Sequence, residues 1–285
     1  MTERLSHTYS YELVNTSLSA LLEIGRTLKT YHDSIVLIGG WAPYFLIKKY
    51  GESGFQHIGS IDIDLALDPD NIAQDEYATI LELIDSRGYR QRKGSTGEPI
   101  YFSFEKDLIS PINGETYLIQ IDFLTTEEKH SAHRHQKIQP DLLARTAAGC
   151  DLAFKHKLGI EIEGLLPDGA ETKSKLNVID IEGCLGMKGT VLGERYLEKD
   201  AYDIYTVTTQ CLHDVKEVAN KVKPFLGDPS MKHGIENIRE KFSTQRAEGP
   251  TWAALFIEPY DKEKRERVQA EVYTTMQRFL KALDD

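Results

Sequence analysis

The stretch Ser60-Ile-Asp-Ile-Asp-Leu-Ala-Leu67 restricts this chain more than any other segment. Ile61, Ile63, Leu65 and Leu67 alternate with Asp62 and Asp64, a period of two that predicts a strand with one apolar face. On such a strand the two carboxylates share the opposite face, about 7 Å apart along the chain. Aspartate is depleted from strands, and two acids on one face repel each other unless a cation lies between them. A hard divalent ion that takes oxygen ligands, such as Mg²⁺, suits the pair. The plain alternative is a strand whose second face is simply solvated.

The neighbouring segments weigh against that alternative. Ile35-Val-Leu-Ile38 predicts a buried strand, and Gly39-Gly40 ends it directly before a predicted helix over Trp41–Tyr50. Two glycines there let backbone N–H groups and a helix N-terminus approach a phosphate. Downstream, Tyr117-Leu-Ile-Gln-Ile-Asp-Phe-Leu124 sets Asp122 in an otherwise apolar strand, where a carboxylate without a partner is costly. If that strand pairs beside residues 61–67, Asp122 becomes the third carboxylate of a two-metal site.

With 285 residues the chain makes one large domain or two smaller ones. Apolar spacing predicts helices over Tyr11–Leu28 and Asn71–Arg87, the second ended by Gly88. Residues 100–105 and 116–124 alternate in period two around Pro111-Ile-Asn-Gly114, predicting an antiparallel hairpin. Another hairpin runs from Ile160 to Ile179 and turns at Leu166-Pro-Asp-Gly169. From residue 182 onward the pattern is helical, closing with an apolar stripe of Val268, Val272, Met276, Phe279, Leu280 and Leu283. We expect an α/β domain over residues 1–182 and a helical domain over 183–285.

A net charge of −11, from 34 basic and 45 acidic side chains, makes the chain a poor general binder of polyanions. Stable duplex DNA binding is not expected, and a nucleic-acid substrate needs a local basic patch. The densest such cluster is Lys129, His130, His133, Arg134, His135 and Lys137; Arg87, Arg90, Arg92 and Lys93 form the next. Zinc at His133 and His135 would lack a cysteine or acid to complete the ligand set. Cys150, Cys184 and Cys211 have neither zinc nor disulfide spacing and read as apolar filler, as Trp41 and Trp252 read as core or groove residues. No apolar run reaches the ~20 residues of a membrane span, and no basic-then-apolar leader opens the sequence. A cytoplasmic protein without a membrane partner is expected.

A hydrophobic residue followed by Gly-Gly, then Asp-x-Asp on one strand, then a third acid on a later strand is the pattern of the DNA polymerase beta-like nucleotidyltransferase superfamily. On Gly39, Gly40, Asp62, Asp64 and Asp122 this chain resembles it. The 21-residue spacer between Gly40 and Asp62 exceeds the usual dozen or so, placing an insertion around residues 50–58 beside the site. Leu166-Pro-Asp-Gly169, Lys188, Arg195 and Lys199-Asp-Ala-Tyr-Asp203 narrow the resemblance to AbiEii/MenT-like nucleotidyltransferases, toxins of toxin–antitoxin pairs. From the residues alone, the plain alternative for Lys199 and Asp203 is an exposed helical i,i+4 pair and for Lys188 a solvated helix lysine.

The resemblance implies a nucleotidyltransferase fold, α/β with a mixed sheet, followed by a helical C-terminal region. It implies Mg²⁺-dependent transfer of a nucleoside monophosphate from an NTP to an acceptor hydroxyl, with release of pyrophosphate. Asp62 and Asp64 would hold two Mg²⁺ ions and Asp122 one of them. Gly39, Gly40, Ser60, Lys188, Arg195 and Lys199 would meet the nucleotide, with Asp203 as a base or an orienting carboxylate. The acceptor implied is a tRNA 3′ end and the partner an antitoxin protein. The alternatives are a small-molecule or protein nucleotidyltransferase and a catalytically silent nucleotide-binding module.

Overall fold

The computed structural model describes residues 5–51, 54–72, 78–127 and 134–285. Its elements run α1 (Tyr11–Thr27), β1 (Ile35–Leu37), α2 (Trp41–Tyr50), β2 (Asp62–Leu67), α3 (Ile80–Asp85), β3 (Arg90–Lys93), β4 (Pro99–Ile109) and β5 (Thr116–Thr125). Then come β6 (His135–Gln139), β7 (Leu142–Thr146), α4 (Asp151–Lys155), β8 (Lys157–Leu165) and β9 (Glu171–Ile179). The remainder is helical: α5 (Ile181–Glu194), α6 (Glu198–Gln210), α7 (Val215–Val222), α8 (Pro229–Lys241), α9 (Glu248–Ile257) and α10 (Lys262–Asp284). No described helix is long and apolar enough to cross a membrane.

The chain divides into two compact units. One comprises residues 10–41 and 60–179 and carries every described strand. The other gathers residues 1–9, 42–59 and 180–285. The passage between them at Asp180 lies beside the boundary expected at 182/183. Residues 42–59, expected with the α/β part, belong with the helices.

In the sheet unit the strand order is β3-β4-β5-β2-β1-β9-β8, with a β6–β7 ribbon attached through β7 to β5. Pairing is mixed: β2 with β5, β1 with β9 and β5 with β7 run parallel, the rest antiparallel. This is the expected α/β class with a mixed sheet. Ile63, Leu65 and Leu67 of β2 and Ile119, Ile121 and Phe123 of β5 are buried, as the period of two requires. Helix α1 begins at Ser10, whose hydroxyl accepts the Leu13 N–H, and buries Leu21, Leu22 and Ile24.

Three local expectations change. The helix expected over 71–87 is confined to Ile80–Asp85, because Asp68 accepts from Asp70 N–H and Asn71 Nδ2 to close a turn and Thr79 with Glu82 then caps a new start. Residues 73–77 lie outside the described residues. The basic run Arg90–Lys93, which follows the expected helix, is an edge strand, and β6 and β7 are strands that the apolar pattern does not reveal.

In the helical unit, α5 and α8 meet backbone to backbone. A Cβ at Gly234 would overlap the Gly186 carbonyl, and one at Gly189 would overlap that of Gly234. Neither overlap is relieved by a side-chain rotation. Gly234→Ala is therefore expected to destabilise the protein by about 1–3 kcal/mol, the usual cost of overpacking, read as a lowered urea midpoint.

Candidate active site

Strand β2 pairs in parallel with β5 in the register Asp62↔Gln120, Ile63↔Ile121, Asp64↔Asp122. Neighbouring residues in register project to the same face, so Asp62, Asp64 and Asp122 lie on one side while their aliphatic neighbours enter the core. The condition set by the sequence for a third carboxylate is thus met by the backbone. Gly39 adopts φ +65°, and a Cβ there would collide with the Asp64 carboxylate. The Gly39-Gly40 turn therefore lies directly against Asp64, and Ile38 N–H donates to the Asp64 carbonyl at 3.0 Å. Ser60 is buried, its hydroxyl donating to the Asp62 carbonyl at 3.1 Å.

Strand β4 adds a residue that carried no sequence signal. Ser103, paired across from Asp122, is fully buried and donates its hydroxyl to Asp122 Oδ1 at 2.5 Å. Burial pushes the Asp122 carboxyl above the usual carboxylate range, against the pull of the Ser103 hydrogen bond and of Arg145; the charge of Asp62 adds to the rise. The donor set is all oxygen, which suits a hard divalent cation rather than zinc. Among the described residues no three His, Cys, Asp or Glu side chains are already drawn together as a metal-ligand cluster. What the fold supplies is the shared face.

Beside Asp122 stands a second group that the sequence did not single out. The Phe102 ring stacks on His135 at 5.4 Å, and the Arg145 guanidinium lies 5.4 Å from the same ring. Arg145 Nε is buried with no hydrogen-bond partner among the described residues. Of the basic candidates, Arg134 and Lys137 are exposed near this group, while Lys129, His130 and His133 lie outside the described residues. Arg90 is committed to Asp107 at 2.8 Å and Glu105 at 3.2 Å. Arg87 lines a separate hollow of about 580 Å³ with Arg26, Lys106 and Asp168.

The other candidates, Lys188, Arg195, Lys199 and Asp203, belong to the helical unit. They are not the exposed side chains that helical spacing alone suggested: Lys188, Lys199 and Asp203 are buried. Lys188 donates to Asp200 Oδ1 at 2.9 Å and to Asp203 Oδ2 at 2.6 Å. Lys199 makes the i,i+4 bond to Asp203 at 3.0 Å. Arg195 grips Asp200 with two nitrogens, at 2.9 and 3.2 Å.

Two members of this network stand outside the sequence candidates. Asp200 sits inside the Lys-Asp-x-x-Asp motif, so its position is in view in the sequence but its burial is not. His57 donates from Nε2 to Asp203 Oδ1 at 3.0 Å and carries no motif at all. Burial opposes every charge here. For Lys188 it is outweighed by Asp200 and Asp203, which raise its ammonium above the usual lysine range. For Asp203 it is outweighed by the two lysines and His57, which hold the carboxyl far below the usual range. For Lys199 burial prevails, aided by the charge of Lys188, and its ammonium is pushed down.

No family model matches the chain, and no curated protein matches it. A crystal structure of an antigenic nucleotidyltransferase-like protein from Paracoccidioides brasiliensis is similar to it, at 14% identity and a TM-score of 0.44, over 79% of this chain and 88% of that one.

The raised Asp122 carboxyl has a thermodynamic sign. Its folded-state value lies above the unfolded one, so its stabilising contribution is present at low pH and is lost as pH rises through the folded value. Asp122→Asn keeps an acceptor for Ser103 and removes the buried charge. With chelator present, its thermal midpoint at pH 7 is expected above that of wild type, with the gap closing as pH falls below ~3.9 and the wild-type carboxyl becomes protonated in both states.

Proposed function

We propose that this chain is a nucleotidyltransferase that moves a nucleoside monophosphate from an NTP to an acceptor hydroxyl and releases pyrophosphate. One observation carries the reading: the parallel register that sets Asp64 beside Asp122, with Asp62 on the same face and the Gly39-Gly40 turn against Asp64. In this reading the acceptor oxygen forms a bond to the α-phosphorus as the bond to the β-phosphate bridging oxygen breaks. Asp62, Asp64 and Asp122 would hold two Mg²⁺ ions, which supply charge neutralisation at the entering and leaving oxygens of an in-line displacement. The chain's own work is position and charge. Ser103 orients Asp122, and the Gly39-Gly40 backbone leaves room for phosphate. The resemblance assigns the triphosphate to Lys188, with Arg195 and Lys199.

For the acceptor we favour RNA, and with it the toxin role that the AbiEii/MenT resemblance implies, a tRNA 3′ end being the acceptor and an antitoxin the partner. A physical reason stands beside the resemblance. A stacked Phe102–His135 pair with a guanidinium over it suits an unpaired nucleobase, and the adjacent Arg134 and Lys137 suit its phosphates. Small-molecule or protein acceptors and a silent nucleotide-binding module are the competing readings.

Incubation with each α-labelled NTP, Mg²⁺, total RNA and protein extract separates these readings. Label in RNA is expected; label confined to protein or small molecules moves the acceptor, and no label anywhere rejects the enzyme. Asp62→Ala or Asp64→Ala should cut transfer by ~10² or more with the fold retained, as removal of a transition-state interaction requires. Transfer within about tenfold of wild type would remove the two-metal reading. Replacing Arg134 and Lys137 together should reduce transfer to RNA and flatten its salt dependence, by up to about 0.7–0.9 log–log units for each phosphate left unneutralised, with NTP affinity unchanged. Lys188→Ala should weaken NTP binding more than Mg²⁺ binding, since an ammonium pairs with phosphate oxygens and cannot coordinate the ion.

A further inference from the structure

His57 lies in the segment between α2 and β2, and its side chain and that of Asp203 are both fully buried. Its two ring nitrogens have different partners. Gly59 N–H donates to Nδ1 at 3.1 Å, which leaves that nitrogen without a proton. The proton is therefore on Nε2, and it is donated to Asp203 Oδ1 at 3.0 Å. The ring stacks on Tyr202 at 5.1 Å, and the Tyr202 hydroxyl accepts from Ile58 N–H at 3.4 Å, so the imidazole plane is held from its face as well. Burial pushes its protonation down to about 4, so the neutral form prevails near neutrality.

The oxygens of Asp203 are fully engaged. Oδ1 accepts from His57 and from Lys199 at 3.0 Å; Oδ2 accepts from Lys188 at 2.6 Å and Lys199 at 3.2 Å. A carboxylate so engaged is in no position to take a proton from a substrate. Of the two roles that the resemblance allowed for Asp203, the geometry favours the orienting one. A carboxylate shared by two ammoniums can turn about its Cβ–Cγ bond toward either; a third donor fixed on Oδ1 keeps Oδ2 on Lys188.

We propose that His57, through its Nε2–H tautomer, is the positioning residue that locks Asp203 and thereby aims the Lys188 ammonium. This rests on the reading above that Lys188 meets the triphosphate. His57 itself touches no substrate. Glutamine at position 57 can place an N–H near the site of Nε2, whereas leucine keeps comparable bulk and supplies none.

The test is calorimetric titration of wild type, His57→Gln and His57→Leu with the four α,β-methylene ribonucleoside triphosphates in Mg²⁺. The expected result is binding weakened about tenfold in His57→Leu and within about threefold of wild type in His57→Gln, the size of effect associated with one charge-assisted hydrogen bond. In turnover assays KM should rise in His57→Leu while kcat at saturation changes little. Equal losses in both variants, or a folded His57→Leu with wild-type affinity, would overturn the assignment alone. Wild type that binds none of the four analogues overturns the nucleotide reading and the assignment with it. Should His57→Leu not fold, long-range ¹H–¹⁵N spectra of the wild-type protein decide. Protonated Nε2 with bare Nδ1, retained at pH 6, is expected; an Nδ1–H or imidazolium pattern overturns the proposal.

Discussion

Parallel pairing of β2 with β5 fixes the core and the carboxylate face in one step, because the side-chain period of a strand is two. A slip of one residue would turn Ile121 and Phe123 out to the face now holding Asp62 and Asp64, and drive Asp122 into the apolar layer. The buried side chains Ile63, Leu65, Ile121 and Phe123 make that slip prohibitive, so packing energy sets where the acids stand. The antiparallel β4–β5 register then delivers Ser103 opposite Asp122 at no further conformational cost.

The helical unit depends on a different balance. Taking Lys188, Lys199, Asp200 and Asp203 out of water costs several kcal/mol per ion, and their attraction offsets this only while each keeps its partners. Such a cluster is weakened most when a single member is removed. The two lysines are nevertheless unequal: Lys188 faces two carboxylates, whereas Lys199 depends mainly on the one it shares. That asymmetry is why burial dominates for one ammonium and not for the other.

Much of the sheet unit can be read from the residues, since alternation exposes both the apolar and the acidic face of β2. That Asp122 belongs with the pair depends on a parallel register between distant strands, which local pattern cannot supply. Polar edge strands such as β3 and the β6–β7 ribbon lack a buried face strong enough to show a period, and the Asp68 turn onto Asn71 with the fresh cap at Thr79 shortens what reads as a long helix. The Lys199–Asp203 spacing is legible, but its burial is not. His57 is invisible because its partner lies 146 residues away, and Ser103 and Arg145 because a lone hydroxyl and a lone guanidinium carry no pattern of their own. The close approach of Gly234 to α5 is a matter of backbone distance alone.

The helical unit takes residues 42–59 from the early part of the chain and completes itself only with residues that follow Asp180. On the ribosome, therefore, the sheet unit has its last strand once Ile179 has emerged, whereas α2 and His57 must wait for segments made much later. A nascent chain stopped at that stage presents the three aspartates without Lys188 or Asp203. On the nucleotidyltransferase reading proposed above, competence for chemistry is thereby postponed until translation is well past residue 203.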